Sequence, residues 1–169
     1  MQAALRQLGY HETYHFFSLY SNVRDCEMWQ AAFDGKYSPS PTRQPFGRAE
    51  WDQLLGHCAA VCDLPAICFA PELIAAYPEA KVILVGRDLD EWYKSFDDVV
   101  ISYAFHPGSM LFAQWDPRFL GPITRLSYRV LTAFFRSRSR AELRARGGLG
   151  AAVYVFGQGG AEHAVSERE

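Results

Sequence analysis

Apolar positions recur with helical spacing through most of this chain and condense into continuous runs at a few points. Met1, Ala4, Leu5 and Leu8 fall at i, i+3, i+4 and i+7, so the chain opens in an amphipathic helix that Gly9 is placed to stop. The aromatic stretch from Tyr14 to Tyr20 fits a strand or an irregular buried segment. Asp25 to Phe33 reads as a helix with Met28, Trp29, Ala32 and Phe33 on one face. Pro39, Pro41 and Pro45 make the next segment a loop, because proline removes a donor and biases the residue before it away from the helix. A short helix follows near Arg48 to Leu55, with Trp51, Leu54 and Leu55 turned inward.

Ala59 to Cys62 is a brief apolar strand that ends on Asp63-Leu64-Pro65. Ala66 to Tyr77 is predicted helical, with Pro71 starting or kinking the helix. The run KVILVG, Lys81 to Gly86, is the clearest strand, of the β-branched kind buried in a parallel sheet, and is predicted to be central. Asp88 then caps a helix and Glu91 completes a capping box, with Trp92, Phe96, Val99, Val100 and Tyr103 as the apolar stripe. A loop is predicted from His106 to Gly121 and an amphipathic helix from Pro122 to Phe135. Strands alternating with helices predict an α/β fold, a three-layer parallel sheet with helices on both faces. From Gly147 onward repeated glycines break any helix, so a domain over residues 1–146 is expected to be followed by a poorly ordered tail over 147–169.

Length and charge narrow the function classes. A chain of 169 residues can bury a real core as one domain. Its formal charge of −2 advertises no nucleic-acid partner, and no run approaches the roughly 20 apolar residues that span a bilayer. The opening residues lack the pattern of a secretory signal, so a cytoplasmic chain is expected. The spacing of Cys26, Cys58, Cys62 and Cys68 gives no C-x-x-C pair. His57, Cys58 and Cys62 could form a metal corner, but buried thiols are the favoured reading and no metal is expected.

Candidate chemistry concentrates between Ala60 and Tyr103. Arg87 stands at the carboxyl end of the KVILVG strand, where open α/β sheets bind ligands, and Ser95 lies on the next helix. An arginine and a hydroxyl beside a helix N-terminus suit a phosphate. The competing reading pairs Arg87 with Asp88 or Asp90 and leaves Ser95 in solvent.

The run CDLPAICFAPELIAAYPEAKVILVGRDLDEWYKSF resembles the 3′-phosphate-binding region of sulfotransferases that use 3′-phosphoadenosine 5′-phosphosulfate (PAPS), and YHFFS, FGRAEWDQLLG and DPRFLG resemble further segments of one branch of that family. The resemblance covers Met1 to about Arg144 and implies a P-loop NTPase-like fold. It also implies PAPS as cosubstrate, a small-molecule acceptor with a hydroxyl or amine, and a 3′-phosphate held by Arg87 and Ser95. The family's base histidine precedes Leu-Pro, and Asp63 occupies that position here. A carboxylate among apolar neighbours can serve as base, and Asp63 can equally cap the next helix. His15 is a second candidate base, weighed against an ordinary core histidine.

MQAALRQLGY is similar to the helix that comes after the family's glycine-rich phosphosulfate loop. The chain is therefore expected to be an N-terminally truncated member with an atypical C-terminus, weak or inactive as it stands. The rival readings are a P-loop nucleotide hydrolase or kinase, and a non-catalytic nucleotide-binding or interaction remnant. The first needs G-x-x-x-x-G-K-[ST], which the 169 residues do not contain.

Overall fold

The computed structural model describes residues 2–86, 88–134 and 153–158. In chain order the elements are α1 (Gln2–Gln7), β1 (Thr13–Tyr14), α2 (Ser18–Ser21), α3 (Asp25–Tyr37), α4 (Arg48–Leu55) and β2 (Ala60–Val61). A 3-10 turn over Ala66–Phe69 leads into α5 (Ala70–Ala76), β3 (Ala80–Val85) and α6 (Leu89–Phe96). A π-helical turn over Asp97–Ile101 runs into α7 (Ser102–Ala104), α8 (Pro107–Trp115) and α9 (Leu120–Arg129), and β4 (Val153–Gln158) is the last strand described. No helix among the described residues is long and apolar enough to cross a membrane.

The sheet runs β1-β2-β4-β3. β1 and β2 pair in parallel, with Thr13 opposite Ala60 and Tyr14 opposite Val61. Both strands are covered on both faces. Ala60 and Cys62 pack with Leu5 of α1 on one side. Tyr14 and Val61 join the main core formed by the other helices on the opposite side, as alternating strand residues must. At the centre of that core the Trp29 ring lies 5.7 Å from both Trp51 and Phe69. Lys36 ties α3 to the Ala66–Phe69 turn and α5 through the Cys68 carbonyl at 2.8 Å and the Glu72 carboxylate at 2.8 Å.

One sheet expectation is corrected. KVILVG lies in β3 at the sheet edge rather than in its centre, and its neighbour β4 is antiparallel, with Val85 opposite Val153 and Ala80 opposite Gln158. One face of β3 is open: Lys81 is exposed and Ile83 is 44% exposed. A continuous apolar run therefore did not mean burial on both faces. Of the tail expected from 147 onward, the described residues 153–158 form β4, which lies between β2 and β3, and the rest lies outside the described residues. Backbone pairing along all six residues of β3 satisfies donors and acceptors that would otherwise lack partners, which offsets the entropic cost of the nearby glycines. The expected domain boundary at 146 lies outside the described residues.

Other differences are local. Gly9 does end the first helix in a left-handed conformation at φ 88°, yet only Leu5 of α1 is buried and Leu8 is 74% exposed. A six-residue helix touches the sheet with little more than one turn. Val99 and Tyr103 are exposed although the stripe after Asp88 predicted them inward. The π-helical turn over Asp97–Ile101 admits an extra residue and rotates the next turn of helix, so Ile101 and Ala104 are buried instead. The predicted loop before Gly121 contains α8, which His106 caps by accepting the Gly108 N–H at Nδ1, 3.0 Å away.

Candidate functional site

The parallel pairing of β1 and β2 brings their carboxyl ends to one edge of the sheet, and the next residues beyond that edge include His15 and Asp63. The Cys62 N–H donates to the Tyr14 carbonyl at 2.9 Å, which carries the pairing one step past the strands. His15 Nε2 lies 3.3 Å from Asp63 Oδ2, both side chains partly exposed. Two residues that the sequence offered as alternative bases are thus in contact.

The surroundings of His15 set its proton. Its main-chain N–H donates to Ser18 Oγ at 3.1 Å, and its Nδ1 accepts the Phe17 N–H at 3.3 Å. A ring nitrogen that accepts an N–H carries no proton, so the neutral imidazole holds its hydrogen on Nε2, directed at Asp63. Asp63 has φ 67°, a left-handed conformation that aspartate tolerates better than most residues and that aims the carboxylate at His15. The next helical turn engages its main-chain oxygen, which accepts the Ile67 N–H at 3.1 Å.

Behind the pair, β1 is anchored to α3. The Tyr14 hydroxyl accepts the Trp29 Nε1–H at 2.8 Å and donates to Asp25 Oδ2 at 3.1 Å, while Asn22 donates to Asp25 Oδ1 at 2.7 Å. Burial pushes the Tyr14 phenol well above its ordinary range. It also raises the Asp25 carboxyl, although the Tyr14 hydrogen bond opposes that rise. The neighbouring Cys62 is a buried thiol, pushed up to about 11 chiefly by desolvation and next by Asp63, and so is no thiolate nucleophile at neutral pH. Ser18 also lines a cleft of about 540 Å³ whose walls include Arg6, Asn22, Asp25 and His57, room enough for a small molecule.

Of the other two predicted site residues, one is described. Ser95 is exposed in the last turn of α6. Arg87 lies outside the described residues. The helix start between them carries the predicted cap, with Asp88 Oδ1 accepting the Glu91 N–H at 3.0 Å. Among the described residues no cluster of three or more histidine, cysteine or acidic side chains could hold a metal ion. Sequence reasoning missed Phe17 and Ser18 as the partners that orient His15. Their only signal was closeness to a histidine in an aromatic run.

A parallel strand pair with a histidine and a carboxylate in contact just beyond its carboxyl ends belongs to an α/β protein. Residues 1–150 match the family described as sulfotransferase domain, and the chain belongs to that family. It is 36% identical over 102 residues to Ava biosynthesis cluster protein M of Aspergillus versicolor, an alignment covering 60% of this chain and 38% of that relative. The chain therefore spans well under half the length of that relative.

Proposed function

We propose that the protein transfers a sulfuryl group from PAPS to the hydroxyl or amine of a small-molecule acceptor, with Asp63 as the base. The observation that carries this reading is the contact between His15 and Asp63 at the carboxyl edge of β1 and β2, in a chain of the sulfotransferase family. His15 is engaged at both nitrogens, so it acts as a positioning residue that donates to one carboxylate oxygen through Nε2. The carboxylate takes the proton as the acceptor oxygen bonds to sulfur. The sulfur–oxygen bond to the 5′-phosphate breaks, and its electron pair leaves on the phosphate oxygen. Such an in-line displacement needs positioning and charge stabilisation above all.

On the nucleotide side, Arg87 and Ser95 would hold the 3′-phosphate. The exposure of the Ser95 hydroxyl is compatible with that role. The wider reading is a P-loop NTPase-like three-layer fold, supported by the parallel β1–β2 pair covered on both faces. A cytoplasmic setting suits four cysteines that remain free thiols. Slow turnover by these 169 residues belongs to the proposal too.

Titration calorimetry with 3′-phosphoadenosine 5′-phosphate and with ATP tests the nucleotide assignment. The bisphosphate is expected to bind more tightly, and Ser95→Ala to weaken it without changing the ATP isotherm. Equal affinities, or a preference for ATP with Mg²⁺, would remove PAPS from the proposal. No binding of either would leave an interaction module as the better reading.

A further inference from the structure

Helix α8 is built inside out. Its nine residues, PGSMLFAQW, include no charged side chain, and the one buried among them is Ser109. Ala113, one turn further on, lies where α8 comes closest to α9: a Cβ at Gly121 would stand 3.1 Å from the Ala113 carbonyl oxygen. Small residues therefore face the protein. The large ones face away, with Leu111 and Phe112 exposed and Trp115 exposed to 88%. Their spacing of i, i+1 and i+4 puts these three on one side of the helix, turned from Ser109 and Ala113. Exposed apolar residues scattered singly are ordinary, whereas three large ones sharing a helix face mark a contact surface.

We infer that this face of α8 docks on an anionic lipid surface, lying among the headgroups without spanning the bilayer. Charge selects the occupant. Residues 107–129 hold Arg118, Arg125 and Arg129 against the single acid Asp116, a local excess of positive charge in a chain whose formal charge is −2. Asp116 is turned to its own loop, where Oδ1 accepts the Phe119 N–H at 3.0 Å, and Arg129 is paired with Asp34. Arg118 and Arg125 are exposed and form no ion pair among the described residues. The sequence continues in the same sense, with Arg136, Arg138, Arg140, Arg144 and Arg146 against Glu142 over 136–146. A second copy of the chain would bring like charge to this face, whereas acidic headgroups bring the opposite sign.

The order of the surface follows that of a lipid. Tryptophan and phenylalanine rings settle at the boundary between headgroups and acyl chains, where one edge stays near water. A groove of about 320 Å³ between α8 and α9 runs on from this face, with Met110 and Tyr128 on its walls and Arg125 beside them. Apolar contact and cation thus stand side by side, as acyl chain and headgroup do. Insertion of a few side chains and attraction by a few arginines are each weak alone, and stable attachment needs both. Docking here is independent of the proposed reaction.

Co-sedimentation of the full chain with phosphatidylcholine vesicles, with and without phosphatidylserine, tests the inference. Tryptophan fluorescence gives a local reading, because Trp29 and Trp51 are fully buried and Trp92 is half-buried. Vesicles with phosphatidylserine are expected to bind at least about tenfold more tightly, less so as salt rises, and to shift the Trp115 emission to the blue. Trp115→Ser should weaken binding about tenfold while Trp115→Phe keeps most of it, and Arg118→Gln with Arg125→Gln should weaken it by a further factor on the order of ten. Position 115 is exposed, so neither substitution there threatens the fold. Absence of binding, equal binding to neutral vesicles, or binding undiminished in Trp115→Ser would overturn the inference. So would a dimer that Trp115→Ser dissociates and that ignores vesicles, since a second copy would then be the occupant.

Discussion

His15 and Asp63, far apart in sequence, meet at 3.3 Å because two parallel strands end side by side. Neither residue is persuasive alone: one is a histidine in an aromatic run, the other a carboxylate before a Leu-Pro step. The proposed base reading rests on their contact, and the Phe17 N–H at the far nitrogen of the ring is the reason the proposal gives them unequal roles.

The imidazole should therefore be the Nε2–H tautomer when neutral. Nitrogen-15 NMR of the His15 ring is expected to show a protonated Nε2 and an unprotonated Nδ1. His15→Gln, whose amide can still donate to Asp63, should keep more transfer activity than His15→Leu. An Nδ1–H tautomer, or equal damage from both substitutions, would remove the positioning role.

The hydrogen-bond chain through Tyr14 should matter for stability. Tyr14→Phe takes a partner from the Trp29 indole and from Asp25 at once, leaving a buried donor unmet. An unsatisfied buried group costs about 1–3 kcal/mol, so the unfolding free energy from urea titration should fall by that amount with the slope unchanged. A loss of only a few tenths would mean that water replaces the hydroxyl.

Asp25 gives a pH signature of opposite sign to an ordinary salt-bridged carboxylate. Burial is the main cause of its raised folded-state value, so the folded protein binds the Asp25 proton more tightly than the unfolded chain does. That contribution to stability is fully present below the ordinary carboxylate range, at about pH 3, and is lost as pH rises through the raised value. Asp25→Asn removes the titration. Urea unfolding across this window should show the variant gaining on the native protein as pH increases, and a constant difference would contradict the burial argument.

Much of the helical framework was legible because burial of one face leaves a clear period. Trp51, Leu54 and Leu55 of α4 and Trp29, Ala32 and Phe33 of α3 are buried as their spacing implied. The sheet was less legible. Strand order depends on partners remote in sequence, and nothing in KVILVG reveals that β4 would pair with it antiparallel. The π-helical turn after α6 defeated the 3.6-residue stripe for a similar reason, since an inserted residue leaves no mark in composition. At the site, residue type suggested His15 and Asp63 separately, whereas their meeting comes from the register of β1 on β2. The orienting donor is a main-chain N–H, which has no sequence signature at all.

Sulfuryl transfer from PAPS to 2-naphthol, followed as release of 3′-phosphoadenosine 5′-phosphate, tests the central claim most directly when native chain and Asp63→Asn are compared. Asparagine tolerates the left-handed backbone at position 63 but cannot accept the proton, so the comparison isolates the base. Slow but measurable release is expected from the native chain, with a loss of about 100- to 10,000-fold in the variant. Equal rates from the two proteins, or no release from the native chain at saturating acceptor, would contradict it.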